Sequence, residues 1–177
     1  MTDEPTDQRP ADPDHRPDFR YATFIRATPE SVWQALTDAD LTASYWGHSN
    51  VSDWQVGSSW EHRRTDGSGV ADVVGTVLES QPPRRLTITF DDPGHSPDVD
   101  DASVVTFEIE PFHDIVRLTV THRRIPSDED LELAAAGWSS VLSNLKTLLE
   151  TGEVLPQAPW EMHAPDRDGQ LAASDSR

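Results

Sequence analysis

Two histidines and one arginine are the side chains best suited to move or steer protons in this chain. His62 and His122 each lie in a segment of alternating polarity, and an imidazole whose pKa lies near neutrality can act as general acid or base. Arg64, two residues past His62 and so on the same strand face, could stabilise an enolate oxygen. Around them, strand and helix periodicity aims Trp46, Trp60, Phe90, Trp138 and Leu142 at a common interior. Together with His62 and His122 they form a candidate lining for a small hydrophobic molecule, because an indole offers broad apolar area and an N–H that can orient an oxygen. Plainer roles compete. Trp33 reads as core; Trp46, Trp60 and Trp138 could equally fill core; His122 could be satisfied by a backbone carbonyl and His62 could sit at a sheet edge. Glu61 has the opposite parity to His62 and Asp72 is near only along the chain, so the sequence orients neither imidazole with a carboxylate.

Other chemistries lack their residues. No cysteine is present, which removes thiolate catalysis, disulfides and zinc–thiolate sites. His48, His62 and His122 lack the short spacings of zinc motifs, and the acidic loop 91–101 lacks the calcium-loop pattern, so no metal and no cofactor are expected. There is no glycine-rich phosphate loop and no GxSxG serine elbow. The formal net charge of −18 argues against a nucleic-acid partner, since phosphate binding runs on clustered Lys and Arg. It also favours a neutral apolar ligand over an anionic one. The composition, rich in Arg and Asp and nearly without Lys, fits a GC-rich genome or adaptation to salt. No run approaches the roughly 20 apolar residues of a membrane span. The N-terminal residues lack the basic start and apolar core of a secretory signal, so a cytoplasmic location is expected and the Asn50-Val-Ser52 sequon would go unused.

The elements that must position these residues are legible in the periodicity. Residues 1–18 and 157–177 are polar, Pro-rich segments expected to be mostly disordered, with Trp160 and Met162 able to tack the second onto the domain; 19–156 is the folded unit. A strand over 19–27 leads to Thr28, a good N-cap, and Pro29 at the first helical position. A second short helix begins near Asp38 or Asp40 and ends with Tyr45 and Trp46. Segments 58–64, 70–80, 84–90, 102–111 and 115–123 read as strands, the last two with strict alternation that implies one wet and one buried face. Leu131, Ala135, Trp138, Leu142, Leu145 and Leu149 then recur at three- and four-residue steps, forming a long amphipathic helix that stops at Gly152. The sum is an α+β fold: two short helices after the first strand, then a curved antiparallel sheet of six or seven strands wrapped around the long helix.

That order, with the stretches ATFIRATPESVWQALTDADLTASYW (22–46), VGSSWEHR (56–63), GTVLESQPPRRLTITF (75–90), VTFEIEP (105–111), VRLTVTH (116–122) and GWSSVLSNLKTLLETG (137–152), resembles the SRPBCC (START-like, helix-grip) superfamily. Within it the chain is most similar to the branch related to the C-terminal domain of the activator of heat-shock protein 90 ATPase. The resemblance covers about residues 20–156. It implies a helix-grip fold with a pocket between sheet and last helix, and it does not imply one activity. Three functions follow as expectations: binding of a small hydrophobic molecule, an aromatase/cyclase-type reaction using the pocket histidines, or a cochaperone-like interaction module. Open sheet edges would also permit a homodimer.

Overall fold

A computed structural model describes residues 18–95 and 100–163, so most of the two tail segments and the middle of the acidic loop lie outside the described residues. Strand β1 (Phe19–Ile25) is followed by helices α1 (Pro29–Thr37) and α2 (Ala39–Trp46). Strands β2 (His48–Val51), β3 (Ser59–Arg64), β4 (Ala71–Gln81), β5 (Arg85–Thr89), β6 (Val104–Phe112) and β7 (Ile115–Arg123) come next, then the long helix α3 (Asp128–Thr151) and a 3₁₀ turn, Pro159–His163. The strands form one antiparallel, curled sheet in the order β1-β7-β6-β5-β4-β3-β2. The two short helices therefore carry the chain from one edge of the sheet to the other. The α+β order expected from the pattern, and the helix-grip architecture that the resemblance implies, are the ones observed.

Local chemistry explains the helix boundaries. The Thr28 side chain accepts from the backbone N–H of Ser31 at the start of α1, and Pro29 occupies a position whose N–H would be unpaired anyway. Asp38 closes α1 and caps α2, accepting from the N–H groups of Asp40 and Leu41. Ser127 caps α3, three acidic residues follow in its first turn where the helix dipole favours them, and Gly152 ends it with φ 83°.

The alternation of β6 and β7 puts Val105, Phe107, Ile109, Val116, Leu118 and Val120 inside, each at most 2% exposed. Their outward neighbours form ion pairs on the wet face, Arg85 with Glu79 and Glu108, and Arg117 with Glu110. The core continues through Ile25, Val32, Leu36, Tyr45, Leu86, Ile88, Leu142 and Leu145. Two features sharpen the curl of the sheet. The Trp60 indole N–H donates to the Thr89 carbonyl at 2.8 Å, across the backbone of Gly75. A Cβ on Gly75 would come within 2.0 Å of that carbonyl oxygen and 2.5 Å of the indole nitrogen, so only glycine fits. Register shifts after His62 in β3 and after Val77 in β4 add bends beside it.

β2 is the strand that periodicity does not announce. Its sequence, HSNV, has no run of alternating apolar residues, and it is ordered by pairing with β3, Asn50 opposite His62 and His48 opposite Arg64.

Candidate functional site: an aromatic cavity beneath the long helix

A cavity of about 780 Å³ opens between the sheet, the end of α2 and the N-terminal half of α3. Its volume lies within the span of small-molecule sites. Trp46, Val73, Phe90, Ile125, Ala134, Trp138, Val141 and Trp160 supply the apolar lining; His62, Ser103 and His122 the buried polar groups; and His48, Asp91, Asp92, His95, Asp101, Arg124 and Asp130 are the charged and titratable groups around it.

Six rings form a closed circuit at this site. Going round from His62 through Trp46, Trp138, His122, Phe90 and Trp60, successive centroids are 4.8, 5.3, 6.2, 5.4, 5.6 and 6.5 Å apart. Six of the seven residues singled out as ligand-binding are in this circuit, and five of those line the cavity. Trp60 does not line it: only 1% exposed, it is drawn beneath the site by its bond to Thr89. Leu142, one turn past Trp138, is 1% exposed and packs in the filled core instead.

His122 stands at the end of β7, where parity points it inward. The Trp138 indole N–H donates to its Nδ1 at 3.2 Å, and its Nε2 meets the Ser103 hydroxyl at 2.5 Å. An indole N–H can only donate, so Nδ1 must carry the lone pair and the ring proton must sit on Nε2. Burial pushes the His122 pKa down to about 4, which keeps it neutral in this arrangement. His62 is fixed in the opposite tautomer. Its Nδ1–H donates to Asn50 Oδ1 at 2.6 Å, leaving the lone pair on Nε2. Burial, with the neighbouring His48 charge, pushes its pKa down to about 3.

Neither imidazole is paired with a carboxylate. Asp72 serves other residues: it accepts from His48 Nε2 at 2.9 Å and from the Arg64 guanidinium at 2.7 to 2.9 Å. These bonds hold the Asp72 carboxyl well below the usual range. It reaches the site through His48, which itself lines the cavity with its ring stacked 4.2 Å from that of His62. Arg64 is exposed at the end of β3, tied to Asp72, and is not among the cavity-lining residues. It therefore cannot stabilise an enolate inside the cavity from this position.

This arrangement limits the chemistry. A serine nucleophile needs a histidine that takes its proton, yet here the indole occupies the nitrogen that an orienting acid would address, and His122 donates toward Ser103. The site can bind and orient a polar group on an apolar body.

Three contributors lie outside the residues predicted for the site, although Trp160 is one that the sequence expects to tack the tail onto the domain. Asn50 acts through a strand with no apolar alternation. Trp160 comes from beyond α3 and lies over Gly47, 2.9 Å from where a Cβ would stand, while Met162 is exposed. Gly137, in the middle of α3, is the third. Its conformation is not left-handed and a Cβ there would meet nothing within 4 Å, so neither the backbone nor packing requires glycine. A glycine inside a helix costs about 0.5–1 kcal/mol relative to alanine. What the missing side chain leaves at Gly137 is space in the cavity.

Among the described residues no helix is long and apolar enough to cross a membrane, and no group of three or more histidine or acidic side chains is gathered for a metal.

Comparison with known proteins agrees with this architecture. A family model described as activator of Hsp90 ATPase homolog 1-like protein matches residues 26–150. Among solved structures the chain is similar to CalU16 from Micromonospora echinospora, with 24% identity, a TM-score of 0.62 and coverage of 78% of this chain and 77% of that one. It is similar to the Aha1 dimer from Colwellia psychrerythraea, at 23% identity and TM-score 0.62, covering 76% and 97%. It is also similar to an HSP90 activator from Plasmodium falciparum, at 25% identity and TM-score 0.61, covering 75% and 95%. No curated protein matches.

Proposed function

The chain belongs to the family of activator of Hsp90 ATPase homolog 1-like proteins, and on that scaffold we propose that it binds a small hydrophobic molecule in the cavity between sheet and long helix. The observation that carries this reading is Gly137. A mid-helix glycine with nothing to pack against weakens α3 and leaves room in an aromatic-lined cavity of about 780 Å³. A chain selected for stability alone gains from alanine at this position; a chain that must admit a ligand does not.

The test uses N-phenylnaphthylamine, a neutral dye whose emission rises in apolar surroundings. Wild type is expected to enhance its fluorescence saturably, with quenching or shift of tryptophan emission. Gly137→Leu projects four carbons into the cavity while replacing glycine with a better helix former, and is expected to be folded, at least as stable, and to bind the dye more weakly than wild type. Equal binding by Gly137→Leu and wild type would refute the assignment.

A second reading rests on the relative from Plasmodium falciparum, which is titled an HSP90 activator. It makes this chain a cochaperone-like partner. Stimulation of the ATPase of a purified Hsp90 supports it, and an unchanged rate at saturating chain removes it.

A further inference from the structure

From the two histidine tautomers we propose that the cavity selects its ligand by polarity: Ser103 offers it a hydroxyl hydrogen and His62 a lone pair, so the ligand class is a flat apolar molecule with an acceptor oxygen at one end and a hydroxyl donor at the other. This deepens the reading above and rests on it.

The direction of the first contact is fixed at Trp138. Its N–H gives to His122 Nδ1, the Nε2 proton of His122 gives to Ser103 Oγ, and Ser103 accepts there with its oxygen. The hydroxyl hydrogen of Ser103 has no second partner among the described residues, and Ser103 lines the cavity. Three donors in series polarise one another, so the last is a stronger donor than an isolated serine. On the opposite wall, Asn50 takes the Nδ1 proton of His62, and the remaining Nε2 accepts from no described residue. His62 is 6% exposed and lines the same cavity. In the six-ring circuit His62 and His122 are three contacts apart in either direction, so two aromatic rings lie between them by either path. A buried donor and a buried acceptor that a ligand must satisfy reject analogues lacking the matching group.

The probe is a hydroxyacetonaphthone with its hydroxyl and acetyl groups on opposite rings, compared with its methyl ether and with naphthol, by displacement of N-phenylnaphthylamine from the full chain. The ether, unable to donate to His62, is expected to bind about tenfold more weakly than the hydroxyl compound. His62→Phe is expected to erase that preference. Ser103→Ala is expected to weaken the acetyl compounds by about the same factor and leave naphthol unchanged. Nitrogen-15 spectra of the unliganded protein near neutral pH are expected to show the ring proton of His122 on Nε2 and that of His62 on Nδ1. Either tautomer reversed, or equal binding of hydroxyl compound and ether while the dye still binds, overturns the polarity assignment and leaves the pocket standing. Failure of every probe, dye included, overturns both.

Discussion

Helix α3 presents two different faces to the same sheet, and the change falls at Trp138. On its C-terminal side the space is filled. Leu142 and Leu145, 1% and 0% exposed, pack into a core with Ile25, Leu36, Val116 and Leu118. That half is also tied down by polar contacts: Asn144 donates to the Tyr45 carbonyl, Lys146 to the Phe24 carbonyl, and Glu150 accepts from the Arg26 N–H. On the N-terminal side Leu133, Ala134 and Gly137 face a cavity, and the groups across from them are two histidines held neutral. One helix thus divides its length between holding the fold and leaving room. The filled half tolerates little change because its packing is complete; the hollow half is where side chains can vary in size without opening the core.

The largest effect at neutral pH that tests this division comes from a pair of truncations. Leu145→Ala is expected to cost about 2–5 kcal/mol, the range for a fully buried leucine that leaves a cavity. Leu133→Ala, at a residue 58% exposed beside the cavity, is expected to change stability by less than about 0.5 kcal/mol. Urea denaturation of the two variants measures both. Comparable losses would mean that the two halves of α3 are packed alike.

An acid titration comes next, and while the pH stays above the carboxylate range it should act on the hollow half. His62 and His122 have folded pKa values near 3 and 4, against 6.5 for an unperturbed histidine. Between these limits the unfolded chain takes up protons that the folded chain refuses, so stability falls as pH falls. Their contribution is whole above pH 6.5 and is lost going down toward pH 4 and below. Each histidine changes the folded-to-unfolded ratio by about tenfold per pH unit inside that window. Denaturation midpoints at a series of pH values should show this acid limb, and His122→Gln should make it shallower. Hydrogen exchange near pH 5 should rise first around β3, β7 and the first half of α3. A limb of unchanged slope in the variant would remove His122 from the account.

The same division marks what could be read from residues in order. The filled half was legible because it is periodic: Leu142 and Leu145 follow helix spacing, and Val116, Leu118 and Val120 alternate, which carries His122 inward with them. Phe90 and Trp60 follow from the same parity. The hollow half was legible in its rings, which follow strand and helix parity, but the polar partners that fix them leave no period. His62 depends on Asn50, its neighbour across β2, and β2 consists of four mostly polar residues. Ser103 did have a signal, since it falls within the segment 102–111 that reads as a strand and shares the parity of Val105, Phe107 and Ile109, but nothing in the sequence pairs its hydroxyl with His122. Arg64 shows the limit of parity in the other direction: at the strand's end, past a register shift, an outward carboxylate decided where it points.

Arg64 gives the smallest expected effect, and it bears directly on the boundary of the site. If the cavity ends at His48, Arg64→Gln removes only an exposed ion pair with Asp72, an interaction weakened by solvent and salt. Asp72 keeps His48, so the ring stacked on His62 stays in place. The variant should then match wild type in thermal midpoint, in dye affinity and in its ranking of acetylated against hydroxylated probes. A selective loss of the acetyl compounds would instead show the guanidinium swinging inward to meet an oxygen. That would extend the polar wall of the cavity past His48 and make the site capable of stabilising an oxyanion, which the arrangement of Asp72 and Arg64 otherwise forbids.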